Sequence, residues 1–520
     1  MTIATSAVSD RSHSVPLMAA LAALVVFSAL QYWAFVIAGR FEYPMDDVYI
    51  HLAMADGIAA GGYGVNAGEF ASAASSPLYP FLLAPFSGFE VQRYIPLLIN
   101  TLALVASAVL WARIVVDALG RTGAGFVVAV LGLIALNLPQ LAITGMEHTL
   151  HILATLAVVR GIQLLGDRDQ VSVLLIAGTI LGPIIRFEAL AISVAAALFV
   201  IFDGRRRLGV LLGVASVLPV AGFMFFLATL GLDALPNSVL TKLGAGPTVD
   251  AGAVEALVAK IAFKLRGLAP IGFLLLLFLA VVNLLNARAG IDRRLVLVLA
   301  AASFAGIGHL AFGQFGWMDR YEIYILVFLA SMLVVAAGRL ESARRQMLLV
   351  GLVAAMAICA AQYVSNTTRS WVYAPRGISL QHQQMSRFAK EYVQAPVAVN
   401  DLGLVAWRNQ NYVLDLWGLA SSEALQTRRS RPKPGWGQAL VERAQVDLVM
   451  IYDSWLADAV AANWVRLGSL EISQPMGDLI FDPVTFYATR PEAQADLTEK
   501  LEAFVPTLPQ GARFEYASAD

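Results

Sequence analysis

Two adjacent aspartates, Asp46 and Asp47, stand in the segment PMDDVYIHLAMADGIAAGGYGVNAGEFASAASSPLYP, which runs from Pro44 to Pro80. Neighbouring carboxylates repel, so partial burial raises the pKa of at least one of them. A carboxylate held in this way can take a proton from a hydroxyl group, which is general-base chemistry. There is also a plainer use: either aspartate can cap the helix VYIHLAMADGIAA that follows. The two uses are compatible, and the glycine-rich turn at Gly61, Gly62 and Gly64 folds the chain back over the pair. The carboxylates can also hold a divalent cation, although no Asp/His cluster in the chain dictates one.

Cations that can meet a phosphate oxygen lie elsewhere: Arg320 in GWMDRYEIY, Lys242 in LPNSVLTKLG and Arg186 in PIIRFEAL. Arginine offers a bidentate fork and lysine a point charge. The bland alternative for each is snorkelling to lipid headgroups, and Glu188 can simply pair with Arg186. Glu69, in NAGEF, reads as a loop carboxylate that can also touch sugar hydroxyls. Thr144 and Glu147 in TGMEHTLH suffice as a helix start, with His148 beside them. His309 and His382 have no partners visible in the sequence and read as structural. Trp317, Trp371, Trp407 and Trp417 suit sugar stacking, an interfacial belt or a soluble core equally well.

The elements that must position these groups belong to a membrane protein. Of 520 residues, 58% are hydrophobic and 14% charged, whereas soluble chains are about a quarter charged. A net charge of −1 leaves no basic excess for nucleic acid, and a single cysteine, Cys359, excludes a disulfide framework or a thiolate zinc site. Eleven spans are predicted, at 17–38, 94–116, 123–143, 149–166, 171–185, 187–202, 208–230, 268–286, 295–312, 322–338 and 347–364. The fifth and sixth are short enough to form one unit interrupted at Pro183 and Arg186. Alternate loops carry the arginines (Arg113 and Arg121; Arg160 and Arg168; Arg205 to Arg207; Arg288, Arg293 and Arg294; Arg339, Arg344 and Arg345). The positive-inside rule then puts the N-terminus in the cytoplasm and the C-terminus outside. The outer face would carry a first loop at 39–93, with an amphipathic surface helix at 77–90, and a second outer segment at 231–267. After 365 short β-type runs appear at 397–401, 412–416 and 448–453, which predicts an outer α/β domain over 366–520.

The pattern DDVYIH, GIAAGGYG, NAGE and SSPLYP resembles the first outer loop of the GT-C superfamily of polyprenyl-phosphate-dependent glycosyltransferases. Its nearest look is to the terminal arabinofuranosyltransferases of mycobacterial cell walls and their bacterial relatives. The resemblance is strong over 41–86 and extends in hydropathy and loop order to about residue 340. It implies a GT-C membrane domain over 1–365 and a catalytic base at Asp46 or Asp47. It also implies carrier-phosphate binding by the loops of Arg320 and Lys242, and a sugar or acceptor cavity lined near Glu147, with His148 and Tyr321 beside it. After YI the chain departs from the mycobacterial relatives, with His51-Leu52-Ala53-Met54 in place of arginine and aromatic residues.

An outer-facing site has no nucleotide sugars, so a lipid-linked donor fits the compartment, and its phosphate leaves as a stable anion. One base and fixed cations suffice for such a transfer, fewer groups than the two carboxylates of glycoside hydrolases. The expected activity moves one sugar, arabinofuranose or another pentose or hexose, from a polyprenyl-phosphate donor with inversion. The acceptor is a glycan, lipid or protein at the outer side of a bacterial inner membrane, and the other partners are membrane lipids. Asp46 is the preferred base, being one residue farther from the helix body. Three other readings compete: an ion-coupled transporter, a lipid-linked glycan polymerase or ligase, and a non-catalytic assembly protein. Transporters place charges at the bilayer midplane and repeat their halves, and neither pattern is visible here.

Overall fold

The structure, a computed structural model, describes residues 14–243, 266–287, 292–430, 432–474 and 482–518. Most of the segment 231–267 lies outside the described residues, as does the side chain of Lys242. The chain divides into two compact units: Met1–Leu30, Leu97–Gly222 and Gly246–Thr368 form the first, and Gln31–Pro96, Phe223–Ala245 and Arg369–Asp520 the second.

All eleven apolar stretches of the sequence are helical. Among the described residues eight helical segments are long and apolar enough to cross a membrane: Ser14–Ala38, Glu90–Leu119, Gly123–Ile143, His148–Arg168, Arg206–Thr229, Leu268–Leu285, Arg293–Phe312 and Ser342–Val393. The last of these has 52 residues, far more than a bilayer of about 30 Å needs at about 1.5 Å per residue. Its apolar part is the helix Ser342–Asn366, and from Arg369 onward it belongs to the second unit. Val173–Ile185, Phe187–Phe202 and Ile323–Gly338 are shorter. Between the first two the backbone at Arg186 is extended (φ −151°, ψ 134°) and Pro183 occupies the last turn. The missing N–H of Pro183 weakens that last turn, and the helix ends at Ile185, within the interruption that the sequence predicts. Ile323–Gly338 is buried on every face from Ile323 to Ala337, as expected for a helix that is apolar all round.

One end of the first unit is a network of ion pairs that joins alternate helix ends. Asp117 accepts from Arg160 at 2.6 Å and from Arg168 at 3.5 Å. Asp169 meets Arg205 at 2.7 Å and Arg294 at 2.8 Å. Arg339 reaches Asp292 at 2.9 Å and also pairs with Asp167. The arginine-bearing ends around 117, 167–169, 203–205, 292–294 and 339 therefore lie together.

The second unit holds a six-stranded sheet in the order β2-β1-β3-β5-β4-β6. Its strands are β1 (Val397–Val399), β2 (Val413–Asp415), β3 (Leu448–Tyr452), β4 (Val465–Ile472), β5 (Val484–Ala488) and β6 (Ala512–Tyr516). β1 runs parallel to β2 and β3, and the remaining pairs are antiparallel. Ala398, Leu414, Trp436, Val449, Ile451 and Trp464 contribute to the core on one face. The surface helix expected at 77–90 is instead a short helix, Tyr79–Leu83, followed by 3-10 turns at Ala84–Phe86 and Glu90–Tyr94. Pro85 removes a backbone donor and Ser87 is extended (ψ 141°), so no longer helix can form.

Candidate active site

The helix Asp47–Ala59 begins at the acidic pair, and neither its cap nor its first turn uses the Asp46 side chain. Asp46 instead reaches a segment far along the sequence. Its Oδ2 accepts the Gly403 N–H at 2.6 Å and its Oδ1 accepts the Leu404 N–H at 2.8 Å. These donors open the four-residue helix Gly403–Ala406, whose first N–H groups have no intrahelical acceptor. At the other end the Lys390 ammonium donates to the carbonyls of Leu404 at 2.8 Å and Trp407 at 2.5 Å. A Cβ at Gly403 would strike the backbone oxygen and carboxylate of Asp46, so the contact requires glycine.

His382 and Asp401 stand beside this contact. The His382 Nε2 lies 3.0 Å from Asp401 Oδ2 and 3.4 Å from the Tyr452 hydroxyl, while Tyr452 O–H donates to Gln381 at 2.7 Å. Burial pushes the Asp46 carboxyl up to about 6; the Asp401 charge adds to this, and His382 and the two backbone N–H groups oppose it. For His382 burial disfavours the charged ring, but the hydrogen bond to Asp401 and the charges of Asp46 and Asp401 outweigh it, so its pKa moves up. A partly exposed carboxylate with two of its roughly four lone-pair sites engaged can still accept a proton. Asp47 occupies the first helical position and is likewise partly exposed.

The loop around the pair is braced from within. Buried Glu42 pairs with Arg93 at 2.7 Å and accepts the Tyr49 hydroxyl, and Tyr43 O–H donates to the Arg93 carbonyl at 2.8 Å. Asp56 accepts from Ser87 and Gln92, each at 2.6 Å. His51 lies 3.3 Å from the Ser75 hydroxyl. Asn66 donates to Glu69 at 3.1 Å and bonds both backbone groups of Val413, at 3.0 and 2.9 Å.

A second polar cluster lies in the first unit. Arg186 donates to Glu147 at 2.7 Å and forks onto Glu188 at 3.2 and 2.7 Å. The guanidinium carbons of Arg186 and Arg320 stand 5.9 and 5.4 Å from the Tyr321 ring centroid, and the His148 ring is 6.5 Å from it. Five residues singled out by the sequence, Glu147, His148, Arg186, Arg320 and Tyr321, are thus brought together. Arg320 follows a left-handed turn in which Gly316, Trp317, Met318 and Asp319 have φ of 81°, 47°, 61° and 53°. The helix Ser342–Asn366 anchors that turn: Gln362 and Asn366 donate to Asp319 at 2.8 and 2.6 Å, and Glu322 accepts the Gly316 N–H at 2.9 Å and the Tyr363 hydroxyl at 3.2 Å.

Lys242 belongs to the helix Asn237–Leu243. Of the tryptophans, Trp317 is exposed, Trp371 and Trp407 are buried, and Trp417 packs on Arg428 and Trp455. His309 bonds the Tyr324 hydroxyl at 2.8 Å. Sequence reasoning read His382 as structural and missed Asp401, Lys390 and Gly403. The available signal was NDLG directly after β1, where acid and glycine follow a buried strand. Among the described residues no group of three or more His, Cys, Asp or Glu side chains is arranged to hold a metal ion.

A family described as a domain of unknown function (DUF8728) matches residues 372–490. No curated protein matches the chain. Among solved structures it is similar to ArnT from Cupriavidus metallidurans bound to undecaprenyl phosphate, with a TM-score of 0.44 at 14% identity, and to apo ArnT, with the same TM-score at 13% identity. Each match covers 90% of this chain and 98% of the other.

Proposed function

We propose that this protein is a GT-C-type membrane glycosyltransferase that moves one sugar from a polyprenyl-phosphate donor to an envelope acceptor outside the cytoplasm. The observation that carries the reading is the acidic pair of the first loop, with the resemblance of 41–86 around it. Asp46 is fixed by two backbone donors and buried enough to raise its pKa to about 6. A base whose pKa lies near the working pH accepts a proton most effectively.

In the proposed reaction an acceptor hydroxyl loses its proton to Asp46 as its oxygen attacks the anomeric carbon from the face opposite the phosphate. The bond from that carbon to the phosphate oxygen breaks, and polyprenyl phosphate departs as an anion with the bonding pair. Arg320, with Lys242, would stabilise the charge that develops on the phosphate. Arg186, committed to Glu147 and Glu188, would brace the cluster rather than bind phosphate. Asp47 would orient the acceptor.

The test is transfer by the purified protein from a panel of polyprenyl-phosphate pentoses and hexoses, paired with mass analysis of envelope lipids from a deletion strain. Turnover with one donor and loss of the matching sugar increment are expected. No turnover across the panel together with unchanged lipid masses sinks the reading.

A further inference from the structure

The second unit contains a cavity of about 550 Å³, within the range of about 300–1,000 Å³ typical of small-ligand sites. Its polar lining includes Glu69, Tyr412, Ser422, Glu423 and Arg443, and Phe70 also lines it. Glu69 is fixed by Asn66 and by a hydrogen bond from the Tyr412 phenol. Ser422 accepts from Asn237 at 3.2 Å, and Arg443 pairs with Glu423 at 2.7 Å. Phe70 is 50% exposed.

Two properties choose the ligand class. Two carboxylates against one guanidinium give the lining a charge of −1, so a phosphate or uronate meets the wrong sign. The polar groups are hydroxyls, two carboxylates and the Arg443 guanidinium, all of which pair with vicinal hydroxyls, and Phe70 offers an exposed ring to the apolar face of a sugar. We infer that this cavity is a glycan subsite for a neutral or amino-sugar oligosaccharide. It would seat the acceptor, not the anionic donor, and in that role it rests on the transfer reading above.

The test uses the full chain in detergent micelles on an array of neutral arabino-, gluco- and manno-oligosaccharides, chitosan oligomers and oligogalacturonates. Retention of neutral or aminated oligomers, but not oligogalacturonates, is expected. Glu69→Gln keeps an acceptor for Asn66 and Phe70→Ala alters an exposed ring, so both variants should fold with unchanged thermal midpoints. Each should weaken retention at least tenfold. The inference is overturned by preferential retention of oligogalacturonates, by no retention at all, or by wild-type retention in both variants. The same preparations separate the two readings. A wild type that transfers sugar while both variants keep its acceptor KM removes the cavity's role. A wild type that retains neutral glycans, loses them in the variants and yet transfers no sugar keeps the subsite and removes the transferase.

Discussion

Asp46 and Gly403 touch although 357 positions separate them: the aspartate carboxylate takes the glycine N–H at 2.6 Å. The first loop and the C-terminal segment are thus one folded object at this point, and the candidate base is oriented by the opening of a helix on another stretch of chain.

Gly403→Ala should therefore disturb the candidate base without altering any group that reacts. Overpacking of this kind costs about 1–3 kcal/mol. The expected outcome is a lower thermal midpoint together with a loss of turnover. Asp46→Asn should also lose stability, because an amide supplies one acceptor for two backbone donors, and an unsatisfied donor costs about 1–3 kcal/mol. Its turnover, compared at equal folded fraction, should fall by a factor of about 10²–10⁴. Full turnover in Asp46→Asn with loss in Asp47→Asn would transfer the role of base to Asp47.

Stability and turnover should move in opposite directions with pH. Asp46 binds its proton more tightly in the folded protein, where its pKa is about 6 against an ordinary 3.8. Its contribution to stability is complete below about pH 3.8 and is lost as the pH climbs through about 6. His382, raised from 6.5, has the same sense: its contribution is present below 6.5 and is lost as the pH passes its folded value. Turnover needs the ionised carboxylate, so kcat/KM should rise through about pH 6 while the melting temperature declines. Calorimetry and kinetics from pH 4.5 to 8 check both trends, and Asp46→Asn should flatten the first.

The two arginines beside Tyr321 should fail differently. Arg320→Ala should cost turnover on the order of 2–4 kcal/mol, the range for one preorganised donor, with Arg320→Lys recovering part. Arg186→Ala removes the guanidinium that pairs with both Glu147 and Glu188, and the Glu147 side chain is fully buried. Losing one partner of a buried pair costs about 3–5 kcal/mol, so less folded protein should be recovered from membranes. Chromatography in detergent separates this outcome from a kinetic defect.

Reporter fusions test the orientation. The ion pairs that join the ends around 117, 167–169, 203–205, 292–294 and 339 make these one face of the first unit, which the positive-inside rule predicts to be cytoplasmic. A fusion at residue 340 should report inside and one at residue 400 outside. An inside signal at 400 would remove the extracytoplasmic setting of the proposed chemistry.

What the sequence makes legible follows from the range of each signal. Apolar runs show the helices, including the break at Arg186, because hydropathy and proline act locally. β1 and β3 are continuous apolar runs and β2 is apolar up to Asp415, whereas β4 is interrupted by Gly468 and by a register shift between Arg466 and Gly468. The acidic pair is visible for its composition and the proximity of Arg320 to Tyr321 for its spacing. His382 and Asp401 stand 19 positions apart on no shared period, so only the tertiary fold reveals them as partners. The same holds for Asp46 and the helix at Gly403.

The turn before Arg320 inverts the usual relation between glycine and rigidity. Trp317, Met318 and Asp319 all sit in left-handed backbone, a conformation that costs an L-residue about 1–2 kcal/mol. In most loops a glycine loosens the chain, but here it would remove a steric penalty, and a D-amino acid would remove it too. Asp319 earns its place through its bonds to Gln362 and Asn366, whereas Trp317 is exposed. A mirror-image residue introduced at 317 by chemical ligation should consequently sharpen the turn, making the handedness of a single α-carbon a control on how firmly Arg320 is presented.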